Sequence, residues 1–212
     1  ILTIHITGDG QVQYQGATLT DGGQVRITNG ENALLSFVSN GDFSLDSVLV
    51  DGAQVTITNG IYQITNMQAD MVVDVTFSSP TNLILHLNGG ELYTILQERQ
   101  IVGANVRSLT VSGRLTVTDF TAIKSVLTNL QSLDISQTNI TELPSNVFEY
   151  KQSLREVHLP LTTTRIQERA FEGCYSLTTV TGCDNIQELG YVCFSGCNSL
   201  RVLPFGDKLK KL

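Results

Sequence analysis

Leu130-Gln-Ser-Leu-Asp-Ile-Ser136 returns in different letters but the same apolar frame as Leu154-Arg-Glu-Val-His-Leu-Pro160. Outward from these two, the first apolar residue of the frame falls at Val106, Leu130, Leu154, Leu177 and Leu200, at spacings of 24, 24, 23 and 23. A second aliphatic stands three residues after each: Leu109, Leu133, Val157, Val180 and Leu203. Five residues after the first come Val111, Ile135, Leu159, Gly182 and Phe205, so the written frame L-x-x-L-x-L is broken only at Gly182. Its last two apolar positions, two apart, have the alternation of a short strand with one buried face.

A period of 23 to 24 residues carrying that frame is the signature of a leucine-rich repeat solenoid. Each round returns through a looser segment with apolar residues of its own: Ile140, Leu143 and Phe148, then Ile166 and Phe171, then Ile186, Leu189 and Phe194. One round is too short to bury those side chains alone, so neighbours stack and share a continuous core. The strands of successive rounds are expected to line up as a parallel sheet.

The return segments carry a more specific resemblance. Arg-Ala-Phe-Glu-Gly-Cys-Tyr-Ser-Leu (169–177) and Val-Cys-Phe-Ser-Gly-Cys-Asn-Ser-Leu (192–200) resemble the A-F-x-x-C-x-x-L motif of the BspA-like leucine-rich repeats, a family of bacterial surface proteins. Ala170 keeps the motif, and Cys193 stands where it has Ala. Ser108-Leu-Thr-Val-Ser-Gly113, Asp119-Phe120 and Leu130 to Ser136 resemble the opening repeats of the same proteins, so the resemblance covers roughly half the chain. It implies a non-enzymatic bacterial protein, secreted or held at the cell surface as an outer-membrane-anchored lipoprotein. Its repeats would bind a protein ligand, of a host or a neighbouring cell, in an adhesion role.

Residues 1–79 are built differently, with many Thr, Val, Ile, Gly and Asn and no Pro before Pro80. Apolar residues alternate at Leu2, Ile4 and Ile6, at Val25 and Ile27, at Val48 and Val50, at Val55 and Ile57, at Tyr62 and Ile64, and at Val73, Val75 and Phe77. That is the pattern of half-buried strands. Between them Asp21-Gly22, Asn29-Gly30, Asn40-Gly41, Asp51-Gly52 and Asn59-Gly60 accept the positive φ of tight turns, so the strands are expected to be short and mostly antiparallel. Asp21 to Gly30 is echoed at Asp51 to Gly60 with eight of ten positions identical, which fits duplication or repeated hairpin grammar. Through Val48 to Ile57 and Ala69 to Phe77 the stretch resembles small all-β modules of bacterial surface proteins. That implies a spacer or stalk, closed as an immunoglobulin-like sandwich or a β-grasp.

Ser78-Ser79-Pro80-Thr81-Asn82 neither extends a ladder nor anchors a core, and reads as the joint. Beyond it Leu83, Leu85 and Leu87 alternate, Asn88-Gly89-Gly90 turns, and Leu92, Ile95 and Leu96 fall at helical spacing. A short helix is expected there, shielding the first round's core from water. The expected fold class is thus α+β and mostly β. A small antiparallel β domain spans 1–79, and a leucine-rich repeat domain with parallel strands spans 80–212, its cap at 83–99. The last round breaks off at Leu212 after Leu209 and Lys210-Lys211, so either further rounds follow or this end is ragged. No charged-then-apolar leader precedes Ile1, and a removed one would leave no trace.

Composition narrows the chemistry. The net charge is -7, the pI is near 4.8, and the basic residues cluster only at Lys208, Lys210 and Lys211, so nucleic acid is excluded as a partner. Apolar runs such as Leu83–Leu85 are too short to cross a bilayer. Cys174 and Cys197 occupy equivalent points of consecutive rounds, where buried core thiols are expected; strands about 4.8 Å apart also admit a disulfide. Cys183 and Cys193 with His5, His86 and His158 lack metal-ligand spacing, so neither metal nor cofactor is expected. No catalytic residue stands out either. G-x-S-x-G is absent, His158 has no nucleophile at a useful spacing, and Asp46, Asp51, Asp70, Asp74, Glu142, Glu168, Glu172 and Glu188 are scattered. Gly89-Gly90 lacks the rest of a phosphate loop, and Asp9, Asp21 and Asp51 read as turn formers before calcium ligands.

What remains is surface. Ser108, Thr110 and Ser112, then Ser132, Asp134 and Ser136, then Glu156, His158 and Pro160, then Thr179 and Thr181 alternate with the buried positions and line the expected concave face. The set is polar and lacks the Tyr, Trp and Arg that most often anchor protein contacts, so it reads equally as a solvated sheet face. The leading expectation is a protein-binding adhesin. The alternatives are a structural spacer and a glycan-binding surface lipoprotein, for which Tyr93, Tyr150, Tyr175 and Tyr191 are the candidate sugar platforms.

Overall fold

The computed structural model describes residues 1–41, 43–202 and 205–210, and the chain forms two compact units, Ile1–Pro80 and Thr81–Leu212. Leu203, Lys211 and Leu212 of the last expected round lie outside the described residues.

The first unit contains β1 (Leu2–Thr7), β2 (Gly10–Tyr14), β3 (Ala17–Leu19), β4 (Gly23–Val25), β5 (Ala33–Ser39), β6 (Ser44–Val50), β7 (Ala53–Gln54), β8 (Ile61–Ile64) and β9 (Met71–Ser78). They form two sheets, β4-β1-β9-β6-β7 and β3-β2-β5-β8. Each sheet buries one face. Leu2, Ile4, Val48, Val73, Val75 and Phe77 come from the first, and Val12, Ala33, Leu35, Phe37 and Ile64 from the second. The described residues of this unit contain no helix, only these two sheets, each with one buried face.

The strands of this unit pair mostly antiparallel, as expected, but β1 and β9 run parallel at the centre of the first sheet, from Leu2 opposite Met71 to Thr7 opposite Thr76. These strands come from the two ends of the unit, so their relative direction is set by the whole path between them and not by a hairpin. Val55 and Ile57, which alternate like a strand, lie beyond the end of β7 and are only half-buried. The echo also acquires a structural meaning. Its two copies supply the short strands β4 and β7 at opposite edges of one sheet, and the leading aspartates do the same work. Asp21 Oδ1 accepts the Ile6 N–H and Asp51 Oδ1 the Val72 N–H, both at 2.8 Å.

The second unit opens with β10 (Asn82–Leu87) and α1 (Leu92–Glu98), followed by β11 (Ser108–Gly113), α2 (Val117–Ser125), β12 (Ser132–Thr138), β13 (Glu142–Leu143), β14 (Glu156–His158), β15 (Arg165–Ile166), β16 (Thr179–Thr181) and β17 (Glu188–Leu189). β10-β11-β12-β14-β16 form one wholly parallel sheet, and β13-β15-β17 a second. Leu83, Leu109, Leu133, Val157 and Val180 stand side by side across the first sheet, and all are buried. The segment expected to act only as a cap therefore contributes the first strand of the repeat sheet, while Leu92 and Leu96 of its helix are fully buried.

Behind that sheet runs a ladder of rings. Phe120, Phe148, Phe171, Phe194 and Phe205 follow one another at centroid separations of 6.0, 5.3, 5.1 and 6.5 Å, with Phe171 and Phe194 stacked at 7°. Gly182, the break in the written frame, has its own reason. Its φ is +78°, and a Cβ there would lie 2.0 Å from the carbonyl oxygen of Leu159. The buried place passes to the next residue, Cys183.

Candidate functional site

The outward face of the five-stranded sheet is ordered in rows. Asn82, Ser108, Ser132, Glu156 and Thr179 form one; Ile84, Thr110, Asp134, His158 and Thr181 form the next. His86 faces Ser112 in a third, its Nδ1 at 3.0 Å from the serine Oγ, and His158 Nδ1 lies 2.8 Å from Thr181 Oγ1. Most of these side chains are half-buried by their neighbours, and Asn82, His86 and Glu156 are exposed. Ile84 differs in kind, an apolar side chain 77% exposed at the head of a polar row.

The register shifts at one residue expected on this face, and another is drawn inward. Ser136 falls in a bulge, so Ser112 pairs with Gln137, and the Ser136 N–H donates to Asp134 Oδ1 at 2.9 Å. Pro160 is buried: β14 ends at His158, and a turn closed by Thr163 N–H on the Pro160 carbonyl at 2.9 Å draws the chain inward. Ile84 and His86 escaped the sequence reading because their strand was assigned to the cap, yet the alternation of Leu83, Leu85 and Leu87 already put both on the opposite side.

The four tyrosines separate. Tyr93 and Tyr191 stand on different segments, whereas Tyr150 and Tyr175, 56% and 44% exposed, line a single cleft of about 670 Å³ with Lys124, Asn129, Glu149 and Gln152.

The cysteines are all free thiols. Cys174 Sγ donates to the Phe148 carbonyl at 3.0 Å and Cys197 Sγ to the Phe171 carbonyl at 3.1 Å, one round back in each case. Lys151, three residues after Phe148 as Cys174 is after Phe171, occupies the same slot one round earlier. It is 5% exposed, and its Nζ donates to the carbonyls of Ile123 (2.9 Å) and Leu127 (2.6 Å), closing the C-terminal end of α2. The sequence reading missed this because it counted from the leucine anchors, which puts Tyr150 in the slot; counting from the phenylalanines finds it.

Burial lowers the Lys151 ammonium to about 8 and raises Cys174 and Cys183 to about 12 and Cys193 and Cys197 to about 11. The signs of linkage oppose. From about pH 8 to 10.5 the unfolded chain holds the lysine proton and the folded chain does not, so that group makes stability rise with pH. Above 9.0 the folded chain keeps thiol protons that the unfolded chain has lost, so each cysteine makes stability fall. Four thiols outweigh one amine. The urea midpoint is expected to drop between pH 9 and 10.5, and to drop more steeply in Lys151→Met; a flat wild-type profile would contradict this assignment.

Parallel strands recurring every 23 to 26 residues, over an aliphatic and phenylalanine core, define a leucine-rich repeat protein. The chain belongs to the BspA type leucine-rich repeat family, whose repeat region matches residues 92–201 in six copies. β10 lies ahead of that stretch yet joins the same sheet. No curated protein matches the chain. The family is in general one of bacterial surface or secreted proteins, typically a non-enzymatic fold engaged in protein–protein interaction. Among the described residues no helix is long and apolar enough to cross a membrane.

Proposed function

We propose that the second unit is a repeat solenoid and that the outward face of its five-stranded sheet binds a protein ligand in adhesion at the bacterial surface. The first unit, residues 1–79, serves as a spacer that carries residues 80–212 away from the cell. The observation that carries this reading is Ile84. It is an exposed aliphatic in register with Thr110, Asp134, His158 and Thr181, so an apolar contact point sits beside hydrogen-bonding groups held on rigid strands. Solenoids present extended faces of this kind, and a buried apolar anchor with a polar surround is how protein interfaces concentrate their energy.

The test passes an extracellular-matrix and mucin preparation over the immobilised protein at physiological salt and identifies the retained proteins by mass spectrometry. The affinity of a retained protein is then measured for wild type and for Ile84→Glu combined with Glu156→Lys, both at exposed positions of the face. These side chains point away from the core, so the thermal melt is expected to hold while affinity falls at least about tenfold, roughly 1.4 kcal/mol. Deleting residues 1–79 is expected to leave retention intact. Unchanged affinity in the double variant would refute the face as the binding surface.

A further inference from the structure

We propose that the cleft between Tyr150 and Tyr175 is a binding site for neutral oligosaccharide, separate from the sheet face. The first reason is backbone geometry. Tyr150 has φ +57°, the left-handed region, and the residues two after the next two ladder phenylalanines are Gly173 at +71° and Gly196 at +77°. Two later rounds thus fill this strained slot with glycine, the residue that adopts it freely, while this round holds a large aromatic there.

The second reason is how the rings are mounted. A Cβ on Gly173 would lie 2.3 Å from Tyr150 Cδ1, so that ring is seated directly on the glycine backbone; Tyr175 Cε1 is 3.4 Å from the equivalent point on Gly196. Each ring is backed by the round that follows and left about half exposed. The chain beneath is held as well: Tyr150 N–H donates to the Glu172 carbonyl at 2.7 Å, and Tyr175 N–H to the Gly173 carbonyl at 2.9 Å. Little rotational freedom remains to be lost when something stacks on these rings.

The third reason is the polar lining. The cations beside the cleft are committed. Lys124 Nζ lies 2.8 Å from the Asn146 carbonyl and 3.5 Å from Glu149, and Lys151 Nζ is spent on α2. An anionic ligand therefore finds no free charge. Offered instead are the Gln152 amide, the Asn129 side-chain oxygen and two phenol hydroxyls, with the Glu149 carboxylate, paired with Lys124, beside them. Flat π-faces beside amides and a carboxylate match a pyranose, whose axial C–H groups suit a ring face and whose equatorial hydroxyls suit the planar acceptors and donors around it.

The experiment titrates cellohexaose, maltohexaose, mannohexaose and chitohexaose into the full chain by calorimetry, with tyrosine fluorescence as a second signal because the chain contains no Trp. At least one is expected to bind. Tyr175→Ala is expected to weaken that binding at least tenfold. Tyr150→Gly is expected to do the same with the fold retained by circular dichroism, since glycine already fills this slot in two rounds. Ile84→Glu is expected to leave sugar binding unchanged. No binding by any of the four sugars, or binding that survives both tyrosine substitutions, overturns the proposal. So does a matrix protein that loses affinity in the tyrosine variants while no sugar binds, which would make the cleft a protein contact.

Discussion

Phe171→Ala is expected to lower stability by about 3 to 5 kcal/mol, measured as the free energy of urea unfolding. Phe171 is fully buried and has a ring on each side, Phe148 at 5.3 Å and Phe194 at 5.1 Å. Truncation removes the transfer energy of one ring and opens a void whose walls are themselves rings fixed by their own rounds, so little collapse can relieve it. Aromatic pairing adds about 0.5 to 1.5 kcal/mol beyond burial for each ring pair that is broken. Phe194→Ala, at a half-buried ring, is the natural comparison and is expected to lose less. A loss below about 1 kcal/mol at Phe171 would contradict the ring ladder as the core of this unit.

Asp119→Ala is expected to destabilise by a similar amount, about 3 to 5 kcal/mol, through polar groups and not packing. Its carboxylate accepts four hydrogen bonds: Gly90 N–H at 2.7 Å, Leu92 N–H at 3.0 Å, Thr116 N–H at 2.9 Å and Thr116 Oγ1 at 2.8 Å. One side chain thus ties the start of α1 to the start of α2, and its loss strands three backbone donors. Burial by itself would raise the pKa of Asp119, yet the bonds from Gly90, Leu92 and Thr116 outweigh it and hold the carboxyl below 3.8. Its contribution is accordingly present at neutral pH and lost as pH falls below 3.8. Comparing acid unfolding of wild type and Asp119→Asn isolates it: the variant is expected to start less stable and to lose less on acidification.

These two residues also mark what the sequence could and could not tell. The spacing of the central rings, Phe148, Phe171 and Phe194 at intervals of 23, was written in the chain, because a ladder built by successive rounds must repeat at their period. Thr116 and Asp119 were readable too, as the [ST]-x-x-[DE] sign of a helix start, and with Phe120 and Ile123 they announce an α2 that the repeat frame concealed. That Asp119 serves Gly90 and Leu92, nearly thirty residues upstream, was not readable, since a carboxylate has no periodicity to betray its partners. The same holds for Tyr150 and Tyr175, which are 25 residues apart and reach one cleft from different slots of their rounds. Pro160 shows the converse error. Strict alternation assigned it to the outward face, and a turn buried it, while a local bulge at Ser136 shifted the register that alternation assumed.

The two copies of the ten-residue echo end one of the first unit's two sheets in strands of three and two residues. A neighbouring molecule approaching either side finds almost no free N–H and C=O row on which to add itself, and the shortness of such borders is a recognised protection against edge-to-edge aggregation. Copies held close together would therefore stand beside one another without fusing through these borders into a common sheet.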